Sequence, residues 1–468
     1  MTFTMEERHD PKVLEAASLL IRKLTGDEVA HHLHELVEKN ESWRGRRCLN
    51  LIAAESPTSP ATRDLLSAEV GTRASGGHIG RNSRCFAGMR YIDELEAACV
   101  ELIRELFGAA FADHRLLGGM AGCTVTYAAL IQPGDTVMSL PPPAGGDTSG
   151  RADGPAGIRG AHIIDIPYDL AEFTVDLDAF HREATRHRPA LISLNQTMAL
   201  FPLPVREMKE IVAQWGGRLY FDGAHQAGLI AGGCHPNPLD EGADILTGSS
   251  GKTFSGPQGG IIAWNDVSLT TPVTNAIFPV LTGSHQINRV AALAMAAAEM
   301  RTYGAVYMRQ VVTNARALAT ALDAEGFTVL ARHRGYTRTH QVMVDARPWG
   351  GGLATAQRLE QANIIVNKML LPSDPDIPEA EPGGIRLGTV EVTRLGMDET
   401  DMATIAALLR RLLLEQQDPA AVRPEVEKFR SAYQTLHYCF PERLPGDRDV
   451  PMEVQEPDGY PAPPGPRP

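Results

Sequence analysis

Apolar residues recur at near-helical spacing over the first forty positions. Leu14, Leu19, Leu20, Leu24, Leu33 and Leu36 predict helix over residues 11–40. A second amphipathic helix is expected over 93–107, ending at LFGA. From there to position 265, short apolar runs alternate with helical ones. PALISLN (189–195) reads as a strand. Apolar residues at 205, 208, 211, 212 and 215 define one helix face, which Gly216-Gly217 stops. RLYFD (218–222), ADILTGS (243–249) and GIIAW (260–264) read as further strands.

Strands separated by helices imply crossover connections, a mostly parallel sheet and helices on both faces. The later strands are closely spaced, which predicts some antiparallel pairing. A long helix over 286–325 leads into a smaller C-terminal region with its own α and β signals, FTVLAR, HQVMVDA and ANIIVN. The expected organisation is therefore α/β. It has an N-terminal helical arm (1–50), a large domain (51–300), a small α+β domain (301–437) and a Pro-rich tail (438–468). No internal repeat is evident.

The chain has 468 residues and a net charge of −13. That balance disfavours a nucleic-acid binder, which needs a basic face to replace counterions. The opening MTFTMEERHDPK lacks the apolar core of a signal peptide, and no run of eighteen apolar residues predicts a membrane span. Cys48, Cys85, Cys99, Cys123, Cys234 and Cys439 are scattered with no CxxC pair. The expectation is reduced thiols in a cytoplasmic protein.

The candidate chemistry centres on DILTGSSGKTFSGPQGG (244–260), where Lys252 follows an apolar strand among the smallest residues. In open α/β sheets ligands bind beyond the carboxyl ends of the strands, where both Asp222 and Lys252 are expected. A lysine held there suits imine formation with an aldehyde. A carboxylate nearby suits a protonated ring nitrogen, and together they are the two groups pyridoxal phosphate most needs. An exposed lysine in a Gly/Ser loop is the plain alternative. A P-loop is discounted, because Leu246 stands where its first glycine is required.

FDGAHQAGLIAGG (221–233), SGKTFSGPQGG (250–260), GGIRLGT (383–389) and LIAAESPTSP (51–60) together resemble serine hydroxymethyltransferase. The resemblance runs in order from about residue 45 to 410. It implies the fold-type-I pyridoxal-phosphate transferase architecture and a Schiff base on Lys252. It sets Asp222 against the pyridinium nitrogen and His225 near the ring. It gives Arg386 the α-carboxylate of a small amino-acid substrate, a grip suited to a planar guanidinium. Thr197 falls near the ring oxygen. Gly118, Gly119 and Met120 fall on the phosphate loop, with glycine and methionine where the family has serines. Backbone N–H groups at a helix start must then carry more of the phosphate binding. Ser249 is a further phosphate contact, and Asp147 stands where a histidine stacks on the ring. Gly283 falls where the partner subunit's backbone reaches the phosphate, implying a homodimer with shared active sites.

Other positions depart from the family. Counting from TSP (58–60), its catalytic tyrosine and glutamate fall on Ala74 and Gly76, and two more tyrosines on Cys85 and Phe86. A two-residue insertion near Asn82 and Ser83 separates these stretches. The histidine before the lysine is Gly251, the serine of LIASE is Ala54, and a folate-contacting asparagine is Met369. Alanine, glycine and phenylalanine supply no general acid or base, a loss of about two to four orders of magnitude in rate. His78, Arg81, Arg84 and Asp147 are the polar groups left to replace them, or plain loop residues.

The expected activity is chemistry at Cα of an amino acid through a quinonoid, with the folate-dependent machinery dismantled. Folate-independent aldol or transaldol transfer in a specialised biosynthetic pathway stands first. Oxygen-dependent oxidation or decarboxylation is an alternative, as is an ordinary serine hydroxymethyltransferase. A non-catalytic cofactor binder is disfavoured by the intact Lys252, Asp222 and Arg386.

Overall fold

A computed structural model describes residues 9–80, 82–374 and 381–441. Arg81 and all but the first few residues of the expected Pro-rich tail lie outside the described residues. Seven strands make the central sheet: β1 (Phe111–Asp113), β2 (Thr136–Ser139), β3 (His162–Asp165), β4 (Leu191–Asn195), β5 (Arg218–Asp222), β6 (Ile245–Ser249) and β7 (Gly260–Trp264). Their order is β1-β7-β6-β5-β4-β2-β3. The pairs from β3 to β6 are parallel, whereas β7 runs antiparallel to both β6 and β1.

Both faces of this sheet are apolar, and the alternation along each strand shows it. Ile192, Leu194, Leu219, Phe221 and Leu246 enter one buried cluster. Leu191, Tyr220 and Ile245, one residue out of phase, enter the other. A sheet covered on both faces reads as continuous apolar runs, which is why RLYFD and GIIAW stand out in the sequence. The polar residues are displaced to the strand ends. Asn195 and Asp222 pair side by side at the carboxyl ends of β4 and β5, with Thr247 of β6 beside Asp222.

The long helix Ile287–Ala324 spans two cores. Val290 to Val311 pack under the central sheet, while Ala315 to Leu322 join a second core with Phe327, Val342, Leu387 and Leu409. That second core surrounds a three-stranded antiparallel sheet of β8 (Gln341–Asp345), β9 (Asn367–Met369) and β10 (Gly384–Gly388), in the order β8-β10-β9. Leu49 and Leu51 also belong to it, through the parallel pairing of Leu49–Asn50 with Ile364–Ile365.

Two local expectations fail. The helix expected over 11–40 is two helices, Pro11–Ile21 and Gly26–Asn40. Thr25 breaks it by capping the second, its side chain accepting from the Glu28 N–H while Glu28 reaches back. FTVLAR forms no strand. Only Val329 bridges to Val344, and Ala331 turns into the left-handed region at φ 58°. No helix among the described residues is long and apolar enough to cross a membrane.

Candidate active site

Asp222 ends β5 and Lys252 follows β6, so both side chains come to the crevice beyond the sheet. Asp222 is buried and accepts from the Ala224 N–H at 2.9 Å, from Cys123 Sγ at 3.2 Å and from Thr247 Oγ1 at 3.3 Å. Burial pushes its carboxyl above the usual range, against the pull of the Lys252 ammonium. Burial likewise lowers Lys252, with Asp222 opposing and Arg386 adding to the shift. The lysine therefore holds more neutral, nucleophilic amine at neutral pH than an exposed one does.

His225 joins this amine to a second cation. Its Nε2 lies 3.3 Å from Lys252 Nζ and 3.4 Å from Arg386 Nη1. Burial and these two charges push its pKa well below the ordinary value, so the ring is neutral. A nitrogen facing two donors accepts, which leaves the proton on Nδ1. That Nδ1 is buried and has no protein partner. His340 stacks on the same ring at 5.8 Å and anchors through Nε2 to the Ala53 carbonyl.

Arg386 is the middle residue of β10, paired with Asn367 on one side and Met343 on the other. Its Nη1 donates to the Thr197 carbonyl at 2.5 Å and its Nε to Asn367 Oδ1 at 3.3 Å. It is 5% exposed, burial holds its pKa down to about 10, and no carboxylate among the described residues lies within ion-pair distance. A buried guanidinium without an acid is costly unless a ligand supplies one. Arg386 lines a cavity of about 450 Å³ with Pro142, Asp147, Thr148, Thr197 and Met369, a volume that suits a small organic substrate.

The helix Gly119–Leu130 starts at the same edge, with Gly118 as its N-cap. A Cβ on Gly119 would sit 3.4 Å from Ser249 Cβ, so glycine keeps the helix start close to the end of β6. The free N–H groups of Gly119 and Met120 suit an anion, although the Met120 side chain is 49% exposed. Asp147 accepts from the Ser149 N–H at 2.9 Å; its own N–H donates to the Asn195 carbonyl and its carbonyl accepts from Asn195 Nδ2, which fixes it at the cavity wall.

The remaining candidates divide. Gly283 is exposed, with its carbonyl 3.3 Å from where a Gly76 Cβ would be, and no hydrogen bond among the described residues joins it to the crevice. Arg84 is spent in buried ion pairs with Glu96 and Asp93, which removes it as a substrate ligand. His78 is exposed and packs edge-on against Phe278. His340, Asn367, Cys123 and Gln341 were not singled out in the sequence. Gln341 donates to the Thr197 carbonyl at 3.1 Å and accepts from the Ala199 N–H at 2.8 Å, so it sets the loop that Arg386 touches. HQVMV, the strand facing GIRLG, carried the only signal for His340 and Gln341.

The family model of serine hydroxymethyltransferase matches residues 27–409. The chain belongs to the serine hydroxymethyltransferase family. A serine hydroxymethyltransferase of Methanopyrus kandleri is 43% identical over 415 residues, covering 89% of this chain and 96% of that one. One from Aeropyrum pernix is 41% identical over 421 residues, covering 90% and 94%. The crystal structure of an L-threonine transaldolase from Pseudomonas fluorescens in its internal aldimine state superposes with a TM-score of 0.80 at 25% identity. It covers 92% of this chain and 97% of that one. The fold is the fold-type-I transferase fold, and the chain is a pyridoxal-phosphate-dependent enzyme. The crevice fits that cofactor on its own evidence: a buried amine at Lys252, a buried carboxylate at Asp222, an unpartnered His225 Nδ1 and a glycine-lined helix start.

Proposed function

We propose that this family member catalyses folate-independent aldol or transaldol transfer at Cα of an amino acid. The observation that carries the reading is segment 74–80, Ala-Ser-Gly-Gly-His-Ile-Gly, which contains no carboxylate and no phenol where the family keeps its acid/base pair. Ser75 is buried and committed to the His285 carbonyl at 2.7 Å, so it does not replace them. The likeness to a threonine transaldolase supports the same reading.

Pyridoxal phosphate, held by Lys252 and Asp222, would supply the electron sink for a carbanion at Cα. Arg386 takes the substrate carboxylate, and its bonds to Thr197 and Asn367 fix the direction of its fork. His225 accepts from whichever of Lys252 and Arg386 faces it and keeps the amine oriented. Lys252 Nζ, with its pKa lowered by burial, carries the proton to and from the reacting atoms. Asp147, Met369 and the rest of the cavity wall face the acceptor.

The reading takes Ser249, Gly118, Gly119 and Met120 as the phosphate cradle and residues 51–300 and 301–437 as the large and small domains. It takes the active form as a homodimer in which Gly283 serves the partner's site. Leu14, Leu19, Leu33, Leu36 and Val37 stand about half exposed on the N-terminal helices, an apolar face that a second copy would cover. A cytoplasmic enzyme of a specialised biosynthetic pathway completes it. Identity above 40% to named serine hydroxymethyltransferases favours the ordinary folate-dependent reaction as the second reading.

The deciding experiment incubates the cofactor-loaded protein with serine plus tetrahydrofolate, and separately with threonine plus a panel of aldehydes, with and without oxygen. Oxygen-independent transfer to an aldehyde supports the reading. Turnover only with tetrahydrofolate, or only with oxygen, overturns it.

A further inference from the structure

A second polar cluster lies outside the crevice, under segment 75–84. Glu96, on the helix Arg90–Phe107, is 1% exposed. Its Oε1 lies 2.5 Å from His285 Nε2, and its Oε2 lies 3.5 Å from His114 Nε2. One ligand atom from each of the three side chains falls within 4.8 Å of the other two. Glu96 does not need the imidazoles for charge, because Arg84 Nη2 already sits 2.6 Å from Oε2. His114 is the anomaly. It is 2% exposed, and neither ring nitrogen makes a hydrogen bond within the protein. Buried polar atoms without partners are rare in native structures, and an apolar side chain would fill this space without that penalty.

We propose that Glu96, His114 and His285 form a site for one divalent transition-metal ion of the zinc class. Two imidazoles and one carboxylate are the donor set that zinc, cobalt and nickel accept, whereas magnesium and calcium take oxygen. Zinc–ligand bonds of about 2.0–2.1 Å set tetrahedral donors roughly 3.3 Å apart. The Glu96–His114 distance of 3.5 Å already matches that geometry. His285 Nε2 faces the other carboxylate oxygen, Oε1, at 2.5 Å, so metal binding requires that contact to open by about 1 Å. Outer contacts are in place: Arg84, itself held by Asp93, donates to Glu96, and Ser75 Oγ lies 3.5 Å from His285 Nδ1.

Asp93, Glu96 and Asp113 balance Arg84, Arg115 and Arg289 around the cluster, so coordination rather than a general negative field provides the affinity. The ion ties three parts of the chain together: the helix bearing Glu96, the end of β1 and the loop before the long helix. Through Ser75 and Arg84, it also stiffens the segment carrying Gly76. The site is structural, and it does not depend on which reaction the crevice performs.

The test uses cofactor-loaded protein stripped with a chelator, then titrated with Zn²⁺ and Co²⁺, with His114→Leu and His285→Asn alongside. The expected result is one ion per chain, a raised thermal midpoint, and a cobalt absorption spectrum of low-coordinate nitrogen and oxygen type. Each variant should weaken binding by about 100-fold or more, and excess Mg²⁺ should not compete. His31, His32 and His34 lie together on the N-terminal arm and could bind metal weakly. Binding that persists undiminished in both variants therefore overturns the proposal. So does less than about one-tenth of an ion per chain at 100-fold excess Zn²⁺. If His114→Leu does not fold, His285→Asn and the cobalt spectrum of the parent decide.

Discussion

Replacing Glu391 by glutamine should remove a pH-dependent loss of stability between pH 4.5 and about 7. Glu391 lies in the helical turn Val390–Arg394, just after the strand that carries Arg386. It is buried, and its Oε1 accepts from Asn50 Nδ2 at 2.7 Å. Burial pushes its carboxyl from the ordinary 4.5 up to about 7, against the Asn50 bond, with Glu55 adding to the rise and Arg430 and Arg44 opposing it. Below pH 4.5 the carboxyl is protonated in both folded and unfolded chains, and its contribution to stability is fully present. As pH rises, the unfolded chain releases its proton first, so stability falls until pH passes about 7. The gap corresponds to about 3 kcal/mol at roughly 1.4 kcal/mol per tenfold change in proton activity. Glutamine keeps the shape and the acceptor for Asn50 but cannot ionise. The variant should match the parent at low pH and exceed it by about 3 kcal/mol at pH 8, a difference of a few degrees in thermal midpoint for a chain of this size. The assay is thermal unfolding of the cofactor-loaded proteins across that range. Taking the difference between the two cancels every other titrating group. A difference that stays constant with pH would refute the assignment of Glu391 as a buried carboxyl that resists ionisation.

Three further outcomes follow from the crevice. Lys252→Ala should lose borohydride-trappable cofactor and at least about 10³-fold in activity, and a coloured, active variant would contradict the Schiff-base role. Arg386→Lys keeps charge but loses the planar fork. The KM for the amino acid should rise about 30- to 100-fold with a smaller change in kcat, and an unchanged KM would remove Arg386 from the substrate site. Asp222→Asn should lower kcat by about 10²- to 10³-fold and weaken cofactor retention, since it leaves a buried cation without its carboxylate. Equal kcat in variant and parent would rule out ring pairing by Asp222.

The strands β4 to β7 stood out in the sequence because a sheet covered on both faces writes itself as apolar runs of five or so residues. RLYFD and GIIAW coincide with β5 and β7 to the residue. FTVLAR has the same composition and fails, because Ala331 takes a left-handed conformation that no local pattern announces. The break at Thr25 was encoded in T-G-D-E, a capping box, which a count of leucines passes over.

The site residues came through differently. Asp222, Lys252 and Arg386 stand out as candidates because each ends or centres a recognisable motif. Their supports could not be found that way. His340 reaches His225 across 115 positions, and Gln341 reaches Thr197 across 144. These contacts exist only once β8 lies beside β10, so no window of sequence contains them. Burial separates the crevice from the segment over 74–86. Asp222 and Lys252 share the buried crevice, and removing either leaves the other's charge unpaired in the interior. Cys85 and Phe86 are exposed, and Ala74 lies on the same segment, held to the fold chiefly through Ser75 and Arg84. Substitution there costs little stability, so on the proposed reading this segment is free to change while the buried crevice stays as it is.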